Sequence, residues 1–375
     1  MNDLSMTEVD LQQQVRAFLL ENLPQGGFEP GLGLDCGYDV EFSKLLAKQG
    51  WVGMSIPRRY GGQSRHAVDR FIVTEELLRW GAPVSYHWVA DRQTAPVILR
   101  FGSEQQKERF LPPICRGEIS FCIGMSETEA GSDLAAVRTR AIRAAGGWVL
   151  NGTKIWTSGA HHGDWIVVLC RTSTDEADRH SGLSQFMVDL RGDGVKVNTI
   201  PFLDGSARFG EVVLTEVFVP DSLVLGGLGE GWVQNTSELG YERGGPDRWL
   251  STYGLLEAFI REHANVAPSM ATQTVIGELT AKYWALRRLS LAISRKIDRN
   301  EAAAAQSALV KEMGTRFEQD VIVALHGLID LEPTLPSDSL FERLLYSATL
   351  GGPSFTIRGG TIEILRSVAS KGMSA

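Results

Sequence analysis

Met125-Ser126-Glu127-Thr128-Glu129-Ala130-Gly131-Ser132-Asp133-Leu134 closes the apolar stretch Ile119–Met125 and opens a loop carrying the hydroxyls of Ser126 and Ser132 and one glycine. Two readings stand at this point. In one, Ser132 or Asp133 caps a short helical stretch, Leu134–Val137, by giving a side-chain oxygen to an unsatisfied backbone N–H. In the other, the loop's N–H groups and hydroxyls take up a phosphate or the edge of a flavin. Spacing alone supports both. Downstream, Asn151-Gly152-Thr153-Lys154-Ile155-Trp156-Thr157-Ser158-Gly159 places a hairpin-type Asn-Gly pair before a strand. Trp156 and Ser158 share one face of that strand. A lone strand tryptophan is ordinarily core, yet this ring and hydroxyl together would suit a flat cofactor. His161 and His162 follow, and neighbours on a strand point to opposite faces, which disfavours a shared metal.

Around these segments the pattern is one of short strands. Ile119–Met125, Trp148–Trp156, Trp165–Cys170, Phe186–Leu190 and Glu211–Val219 are β-branched or aromatic and separated by Gly, Asp and Asn. On either side the apolar period lengthens to that of a helix. Leu11, Val15, Phe18 and Leu19 share a helical face, and Val40–Lys48, Ala67–Trp80 and Glu104–Phe110 read as further helices. Ser103 with Gln106 forms a helix start with a reaching acceptor. From about Gly229 the helical period returns at Ile276, Leu279, Tyr283, Leu286, Ile293 and Ile297, and again over Ala302–Leu325. The expected class is α+β, mainly α, in three parts: helical over 1–118, β over 119–224 and helical over 225–375.

Bulk composition narrows the function. With 375 residues, 43% hydrophobic and 22% charged, the chain exceeds one ordinary core and has the make-up of a globular protein. No apolar run approaches the length of a membrane span. The first twenty residues lack a basic start and an apolar stretch, so a cytoplasmic location is expected. A net charge of −8 without a long basic run disfavours nucleic acid. Cys36, Cys115, Cys122 and Cys170 are far apart, show no metal-ligand spacing, and read as reduced, with Cys122 and Cys170 as small core residues.

Several separated stretches resemble the acyl-CoA dehydrogenase family, in the family's order. These are Gly50-Trp51 through Pro57-x-x-Tyr60-Gly61-Gly62, Ser126-Glu127-x-x-Ala130-Gly131-Ser132-Asp133, the Asn151–Ser158 strand, and Phe355-Thr356-Ile357-x-Gly359-Gly360-Thr361-x-Glu363-Ile364. The resemblance implies an N-terminal helical domain, a middle β-barrel-like domain and a C-terminal four-helix bundle, with FAD between them. It implies α,β-dehydrogenation of an acyl-CoA thioester: a carboxylate takes the α proton and the β hydride goes to flavin N5. Met125 and Ser126 would contact the flavin pyrimidine, Ser132 the pyrophosphate, and Trp156 and Ser158 the isoalloxazine. Thr361 and Glu363 would lie close to the FAD, and Gln273 near its adenine. Gly359 would give the thioester carbonyl a backbone N–H. The acceptor would be an electron-transfer flavoprotein and the assembly a homodimer or homotetramer.

Three departures bear on the chemistry. Most members carry the catalytic glutamate where this chain has Gly359. Some relatives place it instead at the first C-terminal-domain helix, directly before an arginine. Here the stretch is Tyr241-Glu242-Arg243-Gly244-Gly245-Pro246-Asp247-Arg248. The spacing from Arg248 to Gly254 favours Asp247 as base, with Glu242 the alternative and Arg248 beside the substrate. Asp247 also has a plain structural reading, since an acid after Pro246 in a first helical turn complements the helix dipole. The usual Arg-x-x-Phe before the long helix is replaced by Arg261-Glu262-His263-Ala264-Asn265-Val266, and the later glycine-rich loop by His326–Pro333. These losses open a second arrangement, a heteromer with a paralogous chain that supplies the missing contacts. Two further readings are a flavin oxidase or monooxygenase of the same fold and a non-catalytic partner subunit.

Overall fold

The computed structural model describes residues 3–23, 29–33, 37–173, 179–265, 267–329 and 337–373, with the side chains of 238–242 and 373 outside that description. Cys36, Val266 and residues 330–333 of the sequence reading therefore lie outside the described residues. Helices α1 (Met6–Asn22), α2 (Val40–Lys48), α3 (Ala67–Arg79), α4 (Ser85–Val89), α5 (Ala95–Phe101) and α6 (Glu104–Cys115) come first. Strands β1 (Phe121–Gly124), β2 (Arg140–Ala144), β3 (Gly147–Ser158), β4 (Trp165–Arg171), β5 (Leu183–Asp189), β6 (Val195–Pro201), β7 (Ala207–Pro220) and β8 (Val224–Leu225) follow. Helices α7 (Gly231–Glu242), α8 (Tyr253–Glu262), α9 (Met270–Asp298), α10 (Ala304–His326), α11 (Leu340–Gly351) and α12 (Ile362–Met373) complete a mainly α fold.

The chain forms two compact units. The helical unit comprises Met1–Gly37, His66–Pro83 and Gly240–Ala375, and the strand unit Tyr38–Arg65 and Val84–Leu239. In the helical unit α9 and α10 pack together, α12 lies on α10, α3 on α9, α1 on α3 and α11 on α8. Leu11, Val15, Phe18 and Leu19 are the buried face of α1, whose start is closed by a capping box between Ser5 and Glu8. Arg287 of α9 donates to both oxygens of Glu75 on α3, at 2.6 and 2.9 Å, with both side chains buried.

In the strand unit the sheet runs β6-β7-β3-β2-β4-β5-β8, with β1 added parallel to β4. Its end strands β6 and β8 do not pair, so the expected barrel-like domain is an open sheet. Strands β2, β6 and β8 were not visible as apolar alternation, because β2 reads Arg-Ala-Ile-Arg-Ala and β6 is half-exposed along its length. The Asn151-Gly152 pair is not a hairpin turn. It lies inside β3 at an irregularity of its pairing with β7, where a Cβ on Gly152 would meet Thr139. The β2–β3 connection is Ala145-Gly146.

Helix α6 begins as expected, with Ser103 accepting from Gln106 N–H at 3.2 Å and Gln106 Oε1 from Ser103 N–H at 3.0 Å. Gln106 Nε2 also donates to the carbonyls of Ser222 and Val224, at 2.9 and 2.7 Å, so one residue caps the helix and ties it beside β8. Between α4 and α5 a π-helical turn spans Ala90–Thr94. A five-residue register leaves no mark on a 3.6-residue period, so it was not legible in the sequence.

Candidate active site

On the strand unit, the loop after β1 lies along β3. Ile155 N–H donates to Ser126 O at 2.9 Å, and Lys154 Nζ donates to Met125 O at 3.0 Å and to Glu127 Oε1 at 2.8 Å. The pairing of β3 with β7 shifts between Lys154 and Thr157, and inside that bulge Trp156 adopts φ +60°. Its ring is 55% exposed and touches Phe209 edge-on, with ring centroids 6.1 Å apart. A bulky side chain in left-handed backbone is strained, and exposing an indole adds to the cost. Ser158 beside it is exposed, and Ser132 is exposed on the neighbouring loop. Gly131 and Gly159 have open space where a Cβ would stand, and Thr157 Oγ1 is buried without a hydrogen-bond partner. An exposed indole beside exposed hydroxyls, with open space at Gly131 and Gly159, suits a planar, polar-edged ring system.

The capping reading of Ser132 and Asp133 is not realised. Leu134–Ala136 is a short 3-10 turn with no side-chain cap, and Asp133 instead pairs with Arg179 at 2.8 Å. His161 and His162 sit in the turn after β3 instead of on a strand, with ring centroids 4.1 Å apart. Burial and the neighbouring ring push His161 below its ordinary value. Burial holds the Cys122 and Cys170 thiols up at about 12, which leaves them as inert core residues.

On the helical unit the turn before α12 is the centre. Gly359 has φ +64° and Gly360 φ +101°, backbone that glycine adopts without strain. Arg243 Nε donates to Gly359 O at 3.1 Å. A Cβ on Gly359 would stand 3.1 Å from Arg248 Nη1, and one on Gly360 3.1 Å from Arg243 Nη2. Two guanidinium groups thus flank the turn, one of them lying where a side chain at 359 would point. Asp247 is 4% exposed and pairs with Arg248, Oδ2 to Nε at 2.8 Å, in a 3-10 turn packed against α3 and α10. Glu242 is the last residue of α7, directly before Arg243, and its side chain is outside the described residues.

The turn is braced from behind. Arg358 Nη2 donates to Ser251 Oγ and Glu318 Oε2, each at 2.7 Å, and Glu318 Oε1 accepts Ser251 N–H at 2.8 Å. Buried Lys311 donates to Phe355 O at 3.1 Å. Thr361 sits at the start of α12, where its Oγ1 accepts Ile364 N–H at 3.5 Å. Glu363 is exposed, and its own backbone N–H with the Thr361 hydroxyl holds its carboxyl below the usual range. Gln273 lies in the first turn of α9 and donates to Pro268 O at 3.0 Å. Sequence reasoning missed Arg243, Arg358 with Glu318, and Lys154 with Glu127 as parts of the site. Only Arg243 carried a local signal, its place directly after Glu242.

Residues 5–118 match the acyl-CoA dehydrogenase N-terminal domain and residues 122–217 the acyl-CoA dehydrogenase middle domain. The chain is 34% identical over 300 residues to acyl-CoA dehydrogenase IpdE1 of Mycobacterium tuberculosis, covering 76% of each. It belongs to the acyl-CoA dehydrogenase family, FAD-binding oxidoreductases acting on CH–CH bonds that dehydrogenate acyl-CoA thioesters. It is also 35% identical over 327 residues to acyl-CoA dehydrogenase FadE34 of the same organism, spanning 87% of this chain and 45% of that longer protein. Among solved structures, the Tcur3481-Tcur3483 steroid ACAD superposes with TM-score 0.86 at 28% identity, covering 100% of this chain and 99% of that one. The ChsE4-ChsE5 complex from Mycobacterium tuberculosis gives TM-score 0.85 at 25% identity, covering 99% and 97%. Among the described residues no helix is long and apolar enough to cross a membrane.

Proposed function

We propose that this chain is the base-bearing subunit of a cytoplasmic, two-chain, FAD-dependent acyl-CoA dehydrogenase for a bulky, polycyclic acyl group, with Glu242 as the base. The observation that carries this reading is the Gly359 turn. It has no carboxylate, and the Arg248 guanidinium lies where one would project. Asp247 is 4% exposed and ion-paired with Arg248, while its Oδ2 makes no hydrogen bond, so its burial is what counts against it, since a base must reach the substrate. Glu242 adjoins Arg243, which holds Gly359 O, so one residue links the acid to the turn whose N–H receives the thioester carbonyl. Arg248 stays beside the substrate as a fixed positive charge.

Bound FAD supplies the acceptor for the β hydride. Met125, Ser126, Ser132, Trp156 and Ser158 would hold it on the strand unit, and Gln273, Thr361 and Glu363 would contact it from the helical unit. Gly359 N–H polarises the thioester carbonyl, without which an α C–H is too weak an acid for a carboxylate. Glu242 then takes the α proton. The bulky acyl group and the two-chain assembly are each supported by a similar structure, one a steroid ACAD and the other a two-chain complex. The missing Arg-x-x-Phe fits FAD contacts supplied by a paralogous partner, and an electron-transfer flavoprotein would take the electrons. We propose 1–118, 119–224 and 225–375 as the modular division of the chain along its sequence.

The test is anaerobic flavin bleaching by a panel of linear, branched and polycyclic acyl-CoAs, on protein purified with its native co-purifying chain. Glu242→Gln is expected to lower the reduction rate by about 10³-fold or more with FAD still bound, and Asp247→Asn to change it far less. The opposite ranking would return the base to Asp247. Wild-type rates in both variants would favour the non-catalytic subunit, and rapid oxygen uptake would favour the oxidase or monooxygenase reading.

A further inference from the structure

Lys154 is fully buried in the middle of β3, where an ammonium without partners would be strongly disfavoured. Its Nζ reaches Met125 O at 3.0 Å and Glu127 Oε1 at 2.8 Å. Glu127 also accepts the N–H of Thr139 at 2.9 Å and of Arg138 at 2.6 Å. Reciprocal backbone bonds of 2.8 and 3.1 Å between Glu127 and Ala130 close the turn between them. Desolvation works against the charge on Glu127, and Lys154 with the Thr139 and Arg138 amides overcomes it, leaving the carboxyl below its ordinary value. Burial lowers Lys154 in turn.

The sheet does not need this pair, because β3 is laddered to β2 and β7 through its backbone. What the pair joins is the loop from Met125 to Thr139, bearing Ser126 and Ser132, to the β3 bulge, bearing Trp156 and Ser158. We propose that Lys154 and Glu127 are positioning residues that set the register between these two segments, so that affinity for FAD depends on them beyond their part in stability. This rests on the reading of the four residues as a flavin cradle.

The experiment compares Lys154→Arg, Glu127→Gln and the double variant Lys154→Met/Glu127→Gln with the wild-type protein, each purified with its co-purifying chain. FAD affinity is read by flavin fluorescence on reconstitution, and stability by the thermal midpoint of the flavin-free protein. The double variant removes both charges of the pair together and is expected to keep a midpoint near wild type while FAD binds about tenfold more weakly, the worth of one charge-assisted hydrogen bond. Lys154→Arg, which keeps the charge but moves the donor off Met125 O, is expected to separate the two readouts in the same direction. Affinity that simply tracks the thermal midpoint across the three variants, or a double variant that binds FAD as wild type does, would overturn the proposal. Wild-type protein that takes up no FAD would instead sink the flavin reading itself, before any variant is compared.

Discussion

At Gly359 the sequence departs from the common family pattern, and the structure gives the departure a physical form. The residue needs left-handed backbone, and the space a side chain would fill is taken by Arg248. Gly359→Ala should therefore cost about 1 kcal/mol or more, from backbone strain plus the close approach to the guanidinium, measurable as a lowered denaturation midpoint. Gly359→Glu should not create a working base, because its carboxylate would be captured by Arg248, and flavin reduction in that variant should fall instead of rise. His87 gives a second residue-scale expectation. Burial pushes its imidazole down to about 4, against about 6.5 in an unfolded chain. The unfolded state therefore takes up the proton first as pH falls, so stability is full above about pH 6.5 and declines toward pH 4, by on the order of 3 kcal/mol. Urea midpoints at pH 7 and 4.5 should differ more in wild type than in His87→Gln.

At the scale of elements, caps and buried pairs matter more than helix propensity. Ser103→Ala removes an acceptor from the start of α6 and should cost roughly 0.5–2 kcal/mol, whereas Gln106→Ala also frees the carbonyls of Ser222 and Val224 and should cost more. Equal thermal shifts in the two variants would argue against the tie beside β8. Arg287→Met would leave Glu75 buried without its partner between α3 and α9, a loss on the order of 3–5 kcal/mol, visible in chemical denaturation. The capping box of α6 was legible because it acts over three residues. The π turn and the weak strands β2 and β6 were not, since neither leaves an apolar alternation to read.

At the scale of the molecule, two losses along the chain, the Arg-x-x-Phe and the glycine-rich loop, lead to the expectation of a second, paralogous subunit. Affinity purification of the tagged chain from its native host should bring down a related chain in equal amount, with flavin; a flavin-saturated homotetramer formed alone would argue for the homo-oligomer. The sequence by itself determined the helix–strand–helix order, the loop and strand motifs around Ser126 and Trp156, and the absence of a carboxylate at 359, because these are local patterns of period, turn chemistry and residue identity. Only the tertiary structure decided that the sheet is open, that Asp247 is buried against Arg248, that Arg243 grips the Gly359 turn, and that Lys154 binds the loop at Met125. Each of those joins residues distant in sequence or depends on what covers a side chain. Burial and long-range pairing are properties of the packed chain, and spacing along the sequence does not encode them.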